Sequence, residues 1–133
     1  MIDIPEERIL KEITDILMKD LPKVLLELEE QSEDSIRLPP FRYVGLEANL
    51  PPGTSLPYAF VEIEEGEYTK KDRIIKIEKL KIKLRVKLEN ITYCWKYLLG
   101  VRTIFQGKKY YFLENTRING NEISYQVNIV YMN

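Results

Sequence analysis

Leu80-Lys81-Ile82-Lys83-Leu84-Arg85-Val86-Lys87-Leu88 alternates apolar and basic side chains without a break. Successive side chains of an extended strand point to opposite faces. A period of two sustained over this run therefore predicts a strand with one buried face and one wet, basic face. Upstream, Ile75 and Ile77 keep the alternation in the opposite phase, which predicts a bulge or break near Glu78-Lys79. Tyr58 to Ile63 reads as an earlier strand, and Glu64-Glu65-Gly66 as a turn or the start of a hairpin arm. Together these segments predict a long hairpin ribbon from Tyr58 to Leu88, its tip holding Glu67, Lys70, Lys71, Asp72 and Arg73.

Before the ribbon, Asp3-Ile4-Pro5-Glu6 has the form of a helix start, with Asp3 as cap, proline in the first turn and Glu6 at capping-box distance. Ile9, Leu10, Ile13, Ile16 and Leu17 follow at helical spacing and predict one apolar stripe on a core. Pro22 is expected to break or kink this helix. Asp20 is placed to cap a second short turn carrying Val24, Leu25 and Leu28. Residues 29–57 are irregular, with breakers at Pro39-Pro40 and Pro51-Pro52-Gly53 and one doubtful edge strand at Phe41 to Leu46. So long an irregular stretch suggests a loop with a role of its own, or one ordered by a partner.

After the ribbon, Asn90 is placed to cap a helix reaching about Gln106. Ile91, Trp95, Leu98, Leu99, Arg102 and Phe105 form its expected inner side, and Gly107 its stop. Gly100 inside it costs about 1 kcal/mol against alanine, which predicts a close neighbour there. Tyr110 to Leu113 opens the last sheet section, Asn119-Gly120 signals a hairpin turn, and Tyr125, Val127, Ile129 and Tyr131 alternate in a final strand. The expected fold is one α+β domain over residues 1–133, an antiparallel sheet with two helices on one face in the order α-β-β-β-α-β-β.

Composition narrows the chemistry. The chain contains no histidine, which removes the commonest general base, the usual catalytic triads and most transition-metal sites. Its six glycines are scattered singly, so no phosphate-binding or dinucleotide fingerprint can be drawn. Cys94, the one cysteine, sits between Tyr93 and Trp95 and reads as a small buried hydrophobe. Glu62, Glu64, Glu65 and Glu67 are the carboxylate cluster; Glu62 and Glu64 sharing a strand face would allow a magnesium or calcium ion, but the loop that shapes such sites is missing. A solvated acidic arm is the simpler reading. The expectation is no enzyme activity, no metal and no cofactor.

The basic residues Lys81, Lys83, Arg85 and Lys87 would stand about 7 Å apart along one strand face, near a phosphate spacing. That permits a nucleic-acid-binding or regulatory module as the alternative function. RNA-reading sheets, however, interleave aromatic rings for base stacking, and this face alternates lysine with aliphatics. The pattern argues against nucleic acid as a partner. No run is long enough to span a membrane as a helix, and Asp3, Glu6 and Glu7 stand where a secretory signal would carry positive charge. A cytoplasmic setting is the expectation that best fits a lone thiol.

A net charge of −1 conceals an asymmetry: residues 1–68 carry 16 acidic and 6 basic side chains, and residues 69–133 carry 5 acidic and 14 basic. Faces of opposite sign would suit head-to-tail self-association. Interleaving of the two halves in the fold would instead mix the charges.

The segment Leu56-Pro57-Tyr58-Ala59-Phe60-Val61, then Gly66-Glu67-Tyr68-Thr69, then the alternating strand to Leu88, resembles the tail terminator proteins of long-tailed phages, of the lambda minor tail protein U type. The order of elements is similar over most of the chain, and Tyr131-Met132 stands where that family closes on its last strand. The resemblance implies a structural protein of a phage or prophage tail that forms a six-fold ring. Such a ring terminates the tail tube and joins it to the head connector, in the bacterial cytoplasm during assembly and then in the virion tail. Its partners would be other copies of itself, the tail tube protein and the head connector proteins. In that setting Glu62, Glu64, Glu65, Glu67, Lys70, Lys71, Asp72 and Arg73 are the candidate subunit or partner interface.

Overall fold

The computed structural model describes residues 4–33 and 35–130, and over these the chain folds as α+β. The first helical stretch comprises α1 (Pro5–Asp15), a π-helical turn (Ile16–Asp20) and α2 (Leu21–Gln31). Ile4 precedes it in extended conformation and Pro5 is its first residue, where a missing N–H costs nothing. The proposed cap Asp3 lies outside the described residues. Pro22 does interrupt the helix, through the π turn just before it, yet the backbone stays right-handed helical across the join. The wider turn accommodates a proline that cannot donate to the carbonyl one turn back. Asp20 makes no capping bond; its own backbone is helical, and its carboxylate accepts instead from Lys108 Nζ at 3.1 Å.

Strands β1 (Val44–Gly45), β2 (Tyr58–Lys71), β3 (Ile74–Lys87), β4 (Tyr111–Asn119) and β5 (Glu122–Val130) form one sheet in the order β1-β2-β3-β5-β4. All pairs are antiparallel except β1 with β2, which run parallel through Val44↔Ala59 and Gly45↔Phe60. The sheet is therefore mixed, and only two residues of the expected Phe41–Leu46 strand pair. A connection of twelve residues, with a 3₁₀ turn at Glu47–Asn49, carries the chain back to the end it started from. The peptide bond before Pro57 is cis. Tyr131, expected in the last strand, lies outside the described residues.

The bulge expected near Glu78-Lys79 is present: Glu67 faces Lys79 and Tyr68 faces Ile77, leaving Glu78 as the extra residue. A second bulge inserts Glu64 between the pairs Ile63↔Ile82 and Glu65↔Lys81. These phase shifts let Leu80, Ile82, Leu84 and Val86 share the covered face with Ile77, against Ile123, Tyr125, Val127 and Ile129 of β5. Ile9, Ile13, Leu17, Leu21 and Leu25 close over them, each fully buried side chain contributing about 1.5–3 kcal/mol.

The final helix, α3 (Cys94–Gln106), follows a 3₁₀ turn at Ile91–Tyr93, and the Asn90 side chain accepts from the Thr92 amide at 2.9 Å. Its Gly100 is buried against α2: a Cβ there would lie 3.2 Å from Leu21 Cδ1 and 3.4 Å from Leu25 Cδ2. Gly107 ends the helix with φ −81, and the positive φ falls later, at Tyr110. The irregular segment is held within the chain's own core. Leu38, Phe41 and Val44 are buried, Glu29 accepts from the Leu38 amide, and the Phe41 ring stacks on Tyr97 at 6.0 Å.

Candidate interaction surface

The sequence pattern separated an acidic arm from a basic strand; the hairpin puts them face to face. Glu62 lies opposite Lys83, Glu65 opposite Lys81, and Glu67 opposite Lys79 across the β2–β3 ladder. Opposite charges in such positions contribute roughly 0.2–1 kcal/mol per pair. At the other end of β3, the half-buried Arg85 guanidinium pairs with Glu47 and, at 3.4 Å, with Glu122, and lies 5.0 Å from the Phe60 ring centroid. Burial works against its charge, but the Glu47 and Glu122 carboxylates outweigh that and raise its pKa above the usual guanidinium value. Lys87 Nζ is 3.7 Å from the same Glu122.

Lys81, Lys83, Arg85 and Lys87 are all half-buried among these carboxylates. They do not form an open cationic track of the kind a phosphate backbone follows. On this sheet face the acidic and basic halves of the sequence interleave. Among the described residues, no group of three or more cysteine, histidine, aspartate or glutamate side chains is arranged to hold a metal ion. No helix among the described residues is long and apolar enough to cross a membrane.

The hairpin continues past the described end of β5. Pairing of β3 with β5 runs to Lys79↔Val130, whereas β2 and β3 go on through Tyr68↔Ile77, Thr69↔Lys76, Lys70↔Ile75 and Lys71↔Ile74. Four further pairs carry the tip about 13 Å beyond the described end of β5. Tyr68 anchors the base of this arm, its hydroxyl donating to Glu6 of α1 at 3.2 Å, and Thr69 donates to Glu78 at 2.6 Å. The turn itself uses Asp72 and Arg73, both at positive φ (52 and 69), as a two-residue turn matched to the twist of its strands demands.

At this tip Ile74 and Ile75 are 69% and 70% exposed. Lys70, Lys71 and Arg73 are exposed around them and Lys76 is partly so; none forms an ion pair with another described residue. The interface residues expected from sequence thus divide into two sets. Glu62, Glu65 and Glu67 stand opposite lysines across the ladder and Glu64 sits in a bulge, while Lys70, Lys71, Asp72 and Arg73 are exposed at the tip. Ile74 was not singled out from sequence, although two isoleucines beside a charged turn are the signal that could have found it.

A second exposed apolar feature corrects the expected face of α3. Its buried side is formed by Cys94, Tyr97, Leu98, Val101, Ile104 and Phe105. Ile91, Trp95 and Leu99, expected inside, are 54%, 68% and 50% exposed. The helix is apolar nearly all round, so two stripes fit the same spacing, and contact with Leu21 and Leu25 at Gly100 selects between them. Ile91 follows the Lys87 end of β3, at the opposite end of that strand from Ile74.

These features define a mixed-sheet α+β fold with exposed apolar groups at the hairpin tip and on the α3 flank, and others on α2 and β4. The chain matches no known family model and no curated protein.

Proposed function

We propose that this chain is a non-catalytic structural protein of a phage or prophage tail, associating head-to-tail with copies of itself into a ring that terminates the tail tube and joins it to the head connector. The observation that carries the reading is the hairpin tip, reaching beyond the described end of β5 with Ile74 and Ile75 exposed and four cations around them. Exposing two adjacent isoleucines on a protruding arm is unfavourable for an isolated domain and favourable when another surface covers them. Exposed apolar groups also lie away from the tip, at Leu26, Ile91 and Trp95, so the surfaces a subunit offers differ. That is the condition for a heterologous interface, which closes into a ring when its rotation allows. The likeness of Leu56–Val61 and Gly66–Thr69 to tail terminator proteins supports the same reading.

Light scattering across a range of protein concentration and salt, with negative-stain imaging, tests the proposal. The expected result is closed rings that weaken as salt rises. A monomeric mass at every concentration, with no ring in the images, would overturn it.

A further inference from the structure

The tip of the hairpin has a chemical complement on the same molecule, on the outer side of α2. Leu26 there is 55% exposed, and Met18 in the preceding π turn is 40% exposed. Glu27 adjoins Leu26, Glu30 lies one turn on, and Glu33 follows past the helix end; all three are exposed, with Lys19 and Lys23 toward the Met18 side and Lys96, donating to Ser32 at 2.6 Å, near the helix end. The tip shows the inverse arrangement, with Ile74 and Ile75 set among Lys70, Lys71, Arg73 and Lys76 and the single carboxylate Asp72. Since Leu26, Ile74 and Ile75 are all exposed, the two surfaces are not joined within one chain.

We infer that the hairpin tip of one copy docks on α2 of the next, with Ile74 and Ile75 against Leu26 and the tip cations facing Glu27, Glu30 and Glu33. This inference rests on the head-to-tail reading and names the surfaces that carry it. Apolar contact at the centre would supply the affinity, and the charged rim the orientation and the discrimination against tip-to-tip contact. Cations meet cations when two tips approach, and carboxylates meet carboxylates when two α2 surfaces do. Only the heterologous contact is attractive, and its salt dependence follows from the exposed rim. The exposed Trp95 flank lacks this complementarity, because α3 carries no carboxylate.

The test uses the full chain in a Cys94→Ala background, with Ile75→Cys in one preparation and Leu26→Cys in another. Mixed and oxidised, the two should form a disulfide-linked dimer that neither forms alone. Glu27→Lys with Glu30→Lys and Glu33→Lys should weaken association by about tenfold or more. Pairing that variant with Lys70→Glu, Lys71→Glu and Lys76→Glu should restore it. Rings from the unaltered chain that neither cross-link nor respond to the charge exchange would overturn this docking while leaving head-to-tail assembly intact. A chain that stays monomeric throughout would overturn the assembly reading itself. Binding to phosphatidylserine vesicles that is lost with Ile74→Ser and Ile75→Ser, with self-association unchanged, would assign the tip to a membrane surface and overturn the inference.

Discussion

The hydroxyl of Tyr97 donates to the backbone carbonyl of Pro39 at 2.7 Å, joining the core face of α3 to a segment that has almost no regular structure of its own. With Phe41 stacked on the Tyr97 ring and Leu38 buried, this contact makes residues 35–44 part of the domain's packing. Tyr97→Phe keeps the stacking and removes the donor, leaving the Pro39 carbonyl short of a partner. The expected cost is about 1–2 kcal/mol, read as a lower urea midpoint with unchanged slope.

Tyr125 presents the opposite case. Its hydroxyl is buried under α3 and has no hydrogen-bond partner among the described residues. Tyr125→Phe removes an unsatisfied polar group with little change of shape, so it is expected to be neutral or stabilising by about 1 kcal/mol. A loss above about 2 kcal/mol in chemical denaturation would show that the hydroxyl is bound in solution.

Both tyrosines also set the response to alkali. Burial pushes the pKa of each well above the ordinary tyrosine value, with Glu29 adding to the effect at Tyr97. The folded state then keeps protons that the unfolded chain releases near pH 10, so stability is full below that pH and falls as pH rises beyond it. Each tyrosine should contribute a slope of up to about 1.4 kcal/mol per pH unit. Absorbance titration should show two tyrosines that ionise only on unfolding, and Tyr97→Phe should remove one of them and part of the slope.

Gly100 measures how closely the helices approach. Leu21, Leu25 and Leu28 all lie within 3.7 Å of where its Cβ would stand. Gly100→Val must displace those side chains and is expected to cost about 1–3 kcal/mol despite removing a helical glycine. A thermal midpoint equal to that of the unaltered chain would refute the close α2–α3 contact.

The tip turn carries backbone strain that glycine would relieve. Arg73 holds φ 69 in the second central position, where the preferred residue is glycine. Arg73→Gly should stabilise the isolated chain by about 1 kcal/mol. A destabilised variant would show that the arginine side chain makes a compensating contact.

Much of the fold was legible because its signals are local. The alternation from Leu80 to Leu88, the phase change at Glu78 and the spacing of Ile9, Ile13 and Leu17 follow from the periods of strand and helix, and each element formed where those periods predict. Gly100 announced a close contact because a glycine in a helix is costly without one. The basic tip at Lys70 to Arg73 was visible as well, whereas Glu64-Glu65-Gly66, which also read as a turn or the start of an arm, runs on within β2.

What the tertiary structure decided depends on pairings between residues far apart in the chain, about which local spacing says nothing. It turned Trp95 and Leu99 outward, because a helix apolar on both sides is oriented by its neighbour rather than by its own pattern. The ladder register set Glu62, Glu65 and Glu67 opposite Lys83, Lys81 and Lys79, so a basic strand became a charge-balanced face. The return path of the chain made β1 parallel. Ile74 and Ile75 stand clear because β3 outreaches its described pairing with β5. The amino-acid sequence by itself determined the elements and the inner faces of β3, β5 and the first helix; the face of α3 and the exposed surfaces were settled only when those elements packed.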